Sequence, residues 1–106
     1  MDMALRVVET KRYSSWFKGL RDVMVKRQIV SRMDRIAYHG SLIGDFKSLG
    51  GGLVELRFDT GPGYRAYVSL NGDELLLLLL GGDKSTQASD IEKARKLLKK
   101  WRTEHA

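Results

Sequence analysis

Leu75-Leu76-Leu77-Leu78-Leu79-Leu80, followed at once by Gly81-Gly82-Asp83-Lys84-Ser85-Thr86-Gln87, is the stretch that decides the fold. An apolar run this short cannot span a bilayer, which takes about 20 residues as a helix. It fits a strand buried on both faces. The strand is expected to end where the glycines begin and to deliver a lysine and two hydroxyls just before a new helix. A central strand that carries a polar, cationic loop to one edge of a sheet gives a site a rigid support.

Working outward, Asn71-Gly72 is the strongest short hairpin signal in the chain. It predicts that Tyr64 to Leu70 is the neighbouring antiparallel strand, with Ala66, Val68 and Leu70 inward and Arg65, Tyr67 and Ser69 outward. Asp59-Thr60-Gly61-Pro62-Gly63 reads as a turn. Before it, Leu53 to Phe58 alternates: Val54, Leu56 and Phe58 on one face, Glu55 and Arg57 on the other. The glycine-rich segment from His39-Gly40-Ser41 to Gly52, carrying Asp45, Phe46 and Lys47, reads as a loop.

The N-terminal part reads as a short strand, Leu5-Arg6-Val7-Val8, and then helices. Thr10 caps the first, whose stripe Tyr13, Trp16, Phe17 and Leu20 has core spacing. Gly19 interrupts it, and a longer helix runs from about Asp22 to Tyr38. Val23, Met24, Val30, Met33 and Ala37 are expected inward, with Lys26, Arg27, Arg32 and Arg35 mostly outward. Ser89 and Glu92 make a capping box for a last helix with Ile91, Ala94, Leu98 and Trp101 on one stripe. The order is β-α-α-β-β-β-α. The fold class is α+β, one domain over residues 1–106, with an antiparallel sheet, a helical hairpin packed on one face and a C-terminal helix.

The chain has 106 residues, a net charge of +6 and no cysteine. Disulfides and thiolate metal sites are excluded. The first apolar stretch is broken by Arg6, Glu9, Lys11 and Arg12, unlike a signal peptide, so a cytoplasmic protein is expected. The positive charge points to a polyanionic partner. Between residues 41 and 90 the cations are Lys47, Arg57, Arg65 and Lys84 alone.

Register brings three of these together. With residues 59–63 as the loop, Phe58 pairs with Tyr64 and Arg57 lies opposite Arg65. Taking Asn71-Gly72 as a two-residue turn pairs Leu70 with Asp73 and Val68 with Leu75, so Arg65 falls opposite Leu78 and Tyr64 opposite Leu79. Lys84 leaves the sheet just beyond, and Tyr64, Tyr67 and Thr86 lie close by. Like charges directly opposite are destabilising, so Arg57 and Arg65 call for an anionic ligand or an acidic neighbour. One reading is a phosphate site. The other pairs Arg57 with Glu55 or Asp59, and Arg65 with Asp83. Gly82-Asp83-Lys84-Ser85 is not a P-loop, because Asp83 and Leu78 stand where glycines are required. His39 and His105 are too far apart for a zinc site or a Ser-His triad. No metal and no cofactor are expected.

Glu55-Leu56-Arg57, Gly61-Pro62-Gly63-Tyr64-Arg65-Ala66-Tyr67, and Gly81-Gly82-Asp83-Lys84-Ser85-Thr86-Gln87 with Asp90-Ile91 resemble the addiction-module killer proteins. These are phage-related HigB-like toxins of the RelE/ParE superfamily. Arg6-Val7-Val8-Glu9-Thr10 and Gly44-Asp45-Phe46-Lys47 also fit, so the resemblance covers nearly the whole chain. It implies a toxin paired with an antitoxin, often a small helix-turn-helix protein of HigA type. For the RelE and HigB branches it implies an endoribonuclease that cuts mRNA on the ribosome, without metal, by attack of the 2′-OH on the scissile phosphate. The ParE branch instead inhibits DNA gyrase, and a phage-derived RNA-binding domain is a third reading. Arg65 and Lys84 match basic positions of the nucleases. On the preceding strand Arg57 is the basic group, with Leu53 and Glu55 where those nucleases place lysines.

Under the nuclease reading Arg65 stabilises the phosphorane, Arg57 orients the phosphate, and Lys84 serves the leaving group. Glu55 or Tyr67 is the base. Lys47, Tyr64, Tyr67 and Thr86 are assigned to RNA contact.

Overall fold

The computed structural model describes residues 4–72 and 74–106. A five-stranded sheet, in the order β1-β5-β4-β3-β2, lies between two helical layers. Its strands are β1 (Arg6–Glu9), β2 (Phe46–Gly50), β3 (Leu53–Phe58), β4 (Tyr64–Asn71) and β5 (Leu75–Asp83). Helices α1 (Lys11–Gly19) and α2 (Val23–His39) follow β1, and α3 (Gln87–Glu104) follows β5 through a 3-10 turn at Lys84–Thr86. The α+β class, the helical hairpin and the C-terminal helix stand as expected. One strand is added: the segment read as a loop contains β2, which pairs with β3 around Gly50-Gly51-Gly52. The sheet is antiparallel except at β1, which runs parallel to β5.

The helices form where capping and burial agree. The Thr10 hydroxyl accepts from the Tyr13 N–H, and the Asp22 carboxylate accepts from the N–H groups of Met24 and Val25. Gly40, at φ 71°, ends α2 in a left-handed cap that glycine adopts without strain. The buried face of α2 is Val25, Ile29, Met33, Ile36 and Ala37. Val23, Met24 and Val30, expected inward, are exposed. The helix carries apolar residues on more than one side, and the side with Ile29 and Ile36 docked. Arg32, expected outward, lies over the Phe58 ring at 4.2 Å and donates to the Asp45 carbonyl.

Leu76 and Leu78 of β5 join the core under α1 and α2, while Leu77, Leu79 and Leu80 join the core under α3. That phase change is a bulge: Val68 pairs with Leu78 but Tyr67 pairs with Leu80. The Leu79 carbonyl accepts from the Thr10 hydroxyl instead of the ladder, and the Leu78 carbonyl from the Thr10 N–H. The hairpin connection is also longer than two residues, since Asn71 pairs with Leu75 and Leu70 with Leu76. Arg65 therefore faces Gly82, not Leu78, and Tyr64 faces Asp83, not Leu79. Asp73, expected opposite Leu70, lies outside the described residues.

The strand does not stop at the glycines; it runs through them to Asp83. A Cβ on Gly81 would stand 2.1 Å from the Trp16 ring, and one on Gly82 would stand 2.0 Å from Asp90 Oδ2. The two glycines let α1 and α3 approach the sheet from opposite faces.

Candidate functional site

On the face of the sheet that α3 partly covers, two rows of side chains run across the strands. Arg57, Arg65 and Gly82 form one row across β3, β4 and β5; Lys47, Glu55, Tyr67 and Leu80 form the next across β2 to β5. The opposition of Arg57 and Arg65 and the pairing of Phe58 with Tyr64 stand as read from the sequence.

Glu55 reconciles the two arginines. It is fully buried, and its Oε1 accepts from Arg57 Nε at 2.9 Å and lies 3.9 Å from Arg65 Nε. Its other oxygen accepts from Gln87 Nε2 at 2.8 Å. Burial pulls the Glu55 pKa upward. The hydrogen bonds from Gln87 and Arg57, with the charges of Arg57 and Arg65, outweigh it and hold the carboxyl below the usual range. Glu55 is thus an ionised, oriented carboxylate. Its hydrogen bond to Arg57 in turn raises the guanidinium pKa. Arg65 is the more enclosed cation: its side chain is 11% exposed against 31% for Arg57, and its Nε finds no hydrogen-bond partner among the described residues.

Lys84 stands in the 3-10 turn just past β5, exposed to solvent. Asp83 caps that turn, accepting from the Ser85 N–H and hydroxyl, and those bonds lower its pKa. It is therefore spent on the turn; Arg65 pairs toward Glu55 instead, and Arg57 takes Glu55 in preference to Asp59. Gly63, at φ 76°, sits between the two cations: a Cβ there would lie 3.5 Å from Lys84 Cβ and 3.9 Å from Arg65 Nη1. Arg57, Arg65 and Lys84 do converge at one end of the sheet.

The other expected residues divide. Lys47 is exposed and in register with Glu55. Thr86 is exposed and donates to Asp90 Oδ2 at the start of α3. Tyr64 packs with the core on the opposite face, under the helical hairpin, so it is not beside the cations. Tyr67, expected outward, is fully buried because α3 covers that row. Its hydroxyl has no hydrogen-bond partner among the described residues, and burial with the Glu55 charge pushes its pKa up. The expected capping box does not form: α3 starts at Gln87, which places Ser89 inside the helix. Neither Gln87, the last residue of the run that decides the fold, nor Asp90, three residues beyond it, is a site residue on the sequence reading. No group of three or more His, Asp or Glu side chains that would hold a metal ion occurs among the described residues. None of their helices is long and apolar enough to cross a membrane.

A sheet flanked by an N-terminal helical hairpin and a C-terminal helix is a fold this chain shares with a solved RelE toxin. The free-state structure of an E. coli RelE mutant with two arginines replaced by alanine superimposes with a TM-score of 0.69, covering 92% of this chain and 98% of that one, at 16% identity. In sequence, the chain is 39% identical over 95 residues to an uncharacterised protein of Haemophilus influenzae, covering 90% of this chain and 94% of the relative. The chain belongs to the family of that protein. No family model matches it.

Proposed function

We propose that this protein is the toxin of a type II toxin–antitoxin pair, a HigB-like member of the RelE/ParE superfamily, and that it cleaves mRNA on the ribosome. The observation that carries the reading is the cross-strand pair Arg57–Arg65 held by one buried carboxylate, with Lys84 beside it. Glu55 holds the two guanidinium groups in fixed positions with Lys84 nearby, so the end of the sheet presents preorganised cations. That suits a phosphate whose charge grows in the transition state.

In this mechanism the 2′-OH gives its proton to solvent as its oxygen bonds to the adjacent phosphorus, and the bond from phosphorus to the 5′ oxygen breaks, that oxygen leaving protonated. Arg65, preorganised by enclosure, stabilises the phosphorane oxygens. Arg57, more exposed, orients the incoming phosphate. Lys84 neutralises or protonates the leaving oxygen. Glu55 fits an orienting role better than that of a base, since it is buried and both its oxygens are engaged. Lys47 and Thr86 border the site for RNA contact. Alignment of the attacking hydroxyl by the ribosome supplies much of the rate. The partners are then ribosome-bound mRNA and a cognate antitoxin, a small helix-turn-helix protein of HigA type, in the cytoplasm.

One observation favours a second reading. Glu55 neutralises part of the cationic pair, as a binding toxin of ParE type acting on gyrase would tolerate. Induced expression with mapping of mRNA 5′ ends decides between them. New ends inside translated codons are expected. Intact mRNA with double-strand DNA breaks would replace the nuclease reading with the gyrase one, and normal growth would leave an RNA-binding domain without toxicity.

A further inference from the structure

A second cationic surface lies away from the Arg57–Arg65 pair, where the C-terminal half of α3 meets the β2–β3 turn. Gly50, Gly51 and Gly52 all have positive φ, at 85°, 64° and 85°. This curl turns successive carbonyls toward α3. Arg95 donates to the carbonyls of Leu49 and Gly50, and Arg102 Nη1 donates to that of Gly51 at 2.8 Å. The fit is close: a Cβ on Gly52 would stand 2.5 Å from Arg102 Nη2. The two guanidinium groups are therefore fixed in place although both residues are exposed. They flank a shallow open groove of about 620 Å³, together with Gly51, Leu98, Lys99 and Thr103. None of Arg95, Lys99 and Arg102 forms an ion pair with a described residue.

We propose that this groove binds the phosphodiester backbone of a nucleic acid. A guanidinium anchored through some of its N–H groups keeps the others aimed outward at no further entropic cost, and guanidinium matches phosphate in geometry. Lys99 adds a mobile charge between the two forks. The groove is shallow and open, which suits a polymer better than an enclosed small ligand. The proposal does not rest on the cleavage reading, because binding here needs no chemistry at Arg65.

The test compares Lys99→Glu with Lys93→Glu. Both lysines are exposed on α3, and the two changes alter net charge equally, but Lys93 does not line the groove. The probes are a labelled mixed-sequence single-stranded RNA, the DNA of the same sequence, and polyglutamate, titrated at several salt concentrations. Lys99→Glu is expected to weaken RNA and DNA binding about fivefold at 0.1 M salt beyond Lys93→Glu, and to lower the salt slope by about 0.7, the increment for one phosphate contact on a single strand. Equal losses in the two variants would overturn the proposal by reducing the groove to general charge. An equal loss on polyglutamate would overturn it in favour of an acidic protein partner.

Discussion

Arg57 and Arg65 stand directly opposite one another on β3 and β4, and a single oxygen of Glu55 lies 2.9 Å from one Nε and 3.9 Å from the other. Two like charges in that position would push the strands apart. The buried carboxylate converts the repulsion into a three-residue unit, and Gln87 at the first turn of α3 fixes its orientation. The site is thus tied both to the sheet and to the helix that covers it.

That unit predicts a pH dependence. The folded pKa of Glu55 is depressed below its unfolded value of about 4.3. Its contribution is therefore fully present above the unfolded pKa and is lost as pH falls through the folded one. Thermal melts from pH 6 down to pH 2 should show this loss in the wild type, and Glu55→Gln should flatten it. At neutral pH, Glu55→Ala should destabilise by on the order of 2 kcal/mol, because Arg57 and Gln87 lose their acceptor and the enclosed Arg65 loses its counter-charge. An unchanged melting temperature would mean that the carboxylate is not the clamp.

Arg65→Ala should abolish growth arrest while the fold persists. Removing Arg65 relieves its repulsion with Arg57 but takes a counter-charge from the buried Glu55, so a modest loss of about 1–2 kcal/mol is expected, with the fold intact. The loss in cleavage rate should be on the order of 10²–10³, the scale for removing one preorganised donor to transition-state charge. Lys84→Ala should act in the same direction but more weakly, since Lys84 is exposed and less fixed. Growth curves and melts of both variants check this; full toxicity of Arg65→Ala would remove the residue on which the nuclease reading depends.

Tyr67→Phe separates a structural tyrosine from a functional one. The hydroxyl is buried without a hydrogen-bond partner among the described residues, so its removal should leave stability unchanged or raise it by about 1 kcal/mol. Cleavage should also be unchanged, because the ring lies under α3 and cannot stack on a base. A large fall in rate with an intact fold would show that the hydroxyl takes part after all.

Much of this architecture was legible because some patterns admit one answer. Asp59 to Gly63 between two alternating runs fixed the β3–β4 register, and with it the opposition of Arg57 and Arg65. The β4–β5 register was not legible, for a physical reason. Six identical leucines carry no alternation, so neither the bulge at Leu79 nor the longer connection after Asn71 leaves a trace in the sequence. Periodicity also misplaced the α2 face, because Val23, Met24 and Val30 compete with Val25, Ile29 and Ile36. Only packing against the sheet settles which side docks. Glu55 could be placed beside Arg57 from its alternation with it, but its partnership with Gln87 spans 32 residues and depends on where α3 begins.

The glycine pair gives the sharpest test of how the fold supports the site. Gly81→Ala and Gly82→Ala add the same methyl group to adjacent residues of one strand, but to opposite faces. At Gly81 the new carbon meets the Trp16 ring of α1; at Gly82 it meets Asp90 Oδ2 at 2.0 Å and Thr86 Oγ1 at 3.0 Å, both at the start of α3. Overpacking of this kind costs about 1–3 kcal/mol, and each kcal/mol lowers the melting temperature by roughly 4–8 °C in a domain of this size. Both variants should therefore melt earlier. Only Gly82→Ala should also lose activity at temperatures where it is fully folded, because lifting the first turn of α3 draws Gln87 away from Glu55 and releases the carboxylate that orients the two arginines. Cleavage assays well below each melting point, read beside the melts, distinguish the two effects. Equal activity in the two folded variants would show that the start of α3 covers the site without holding it.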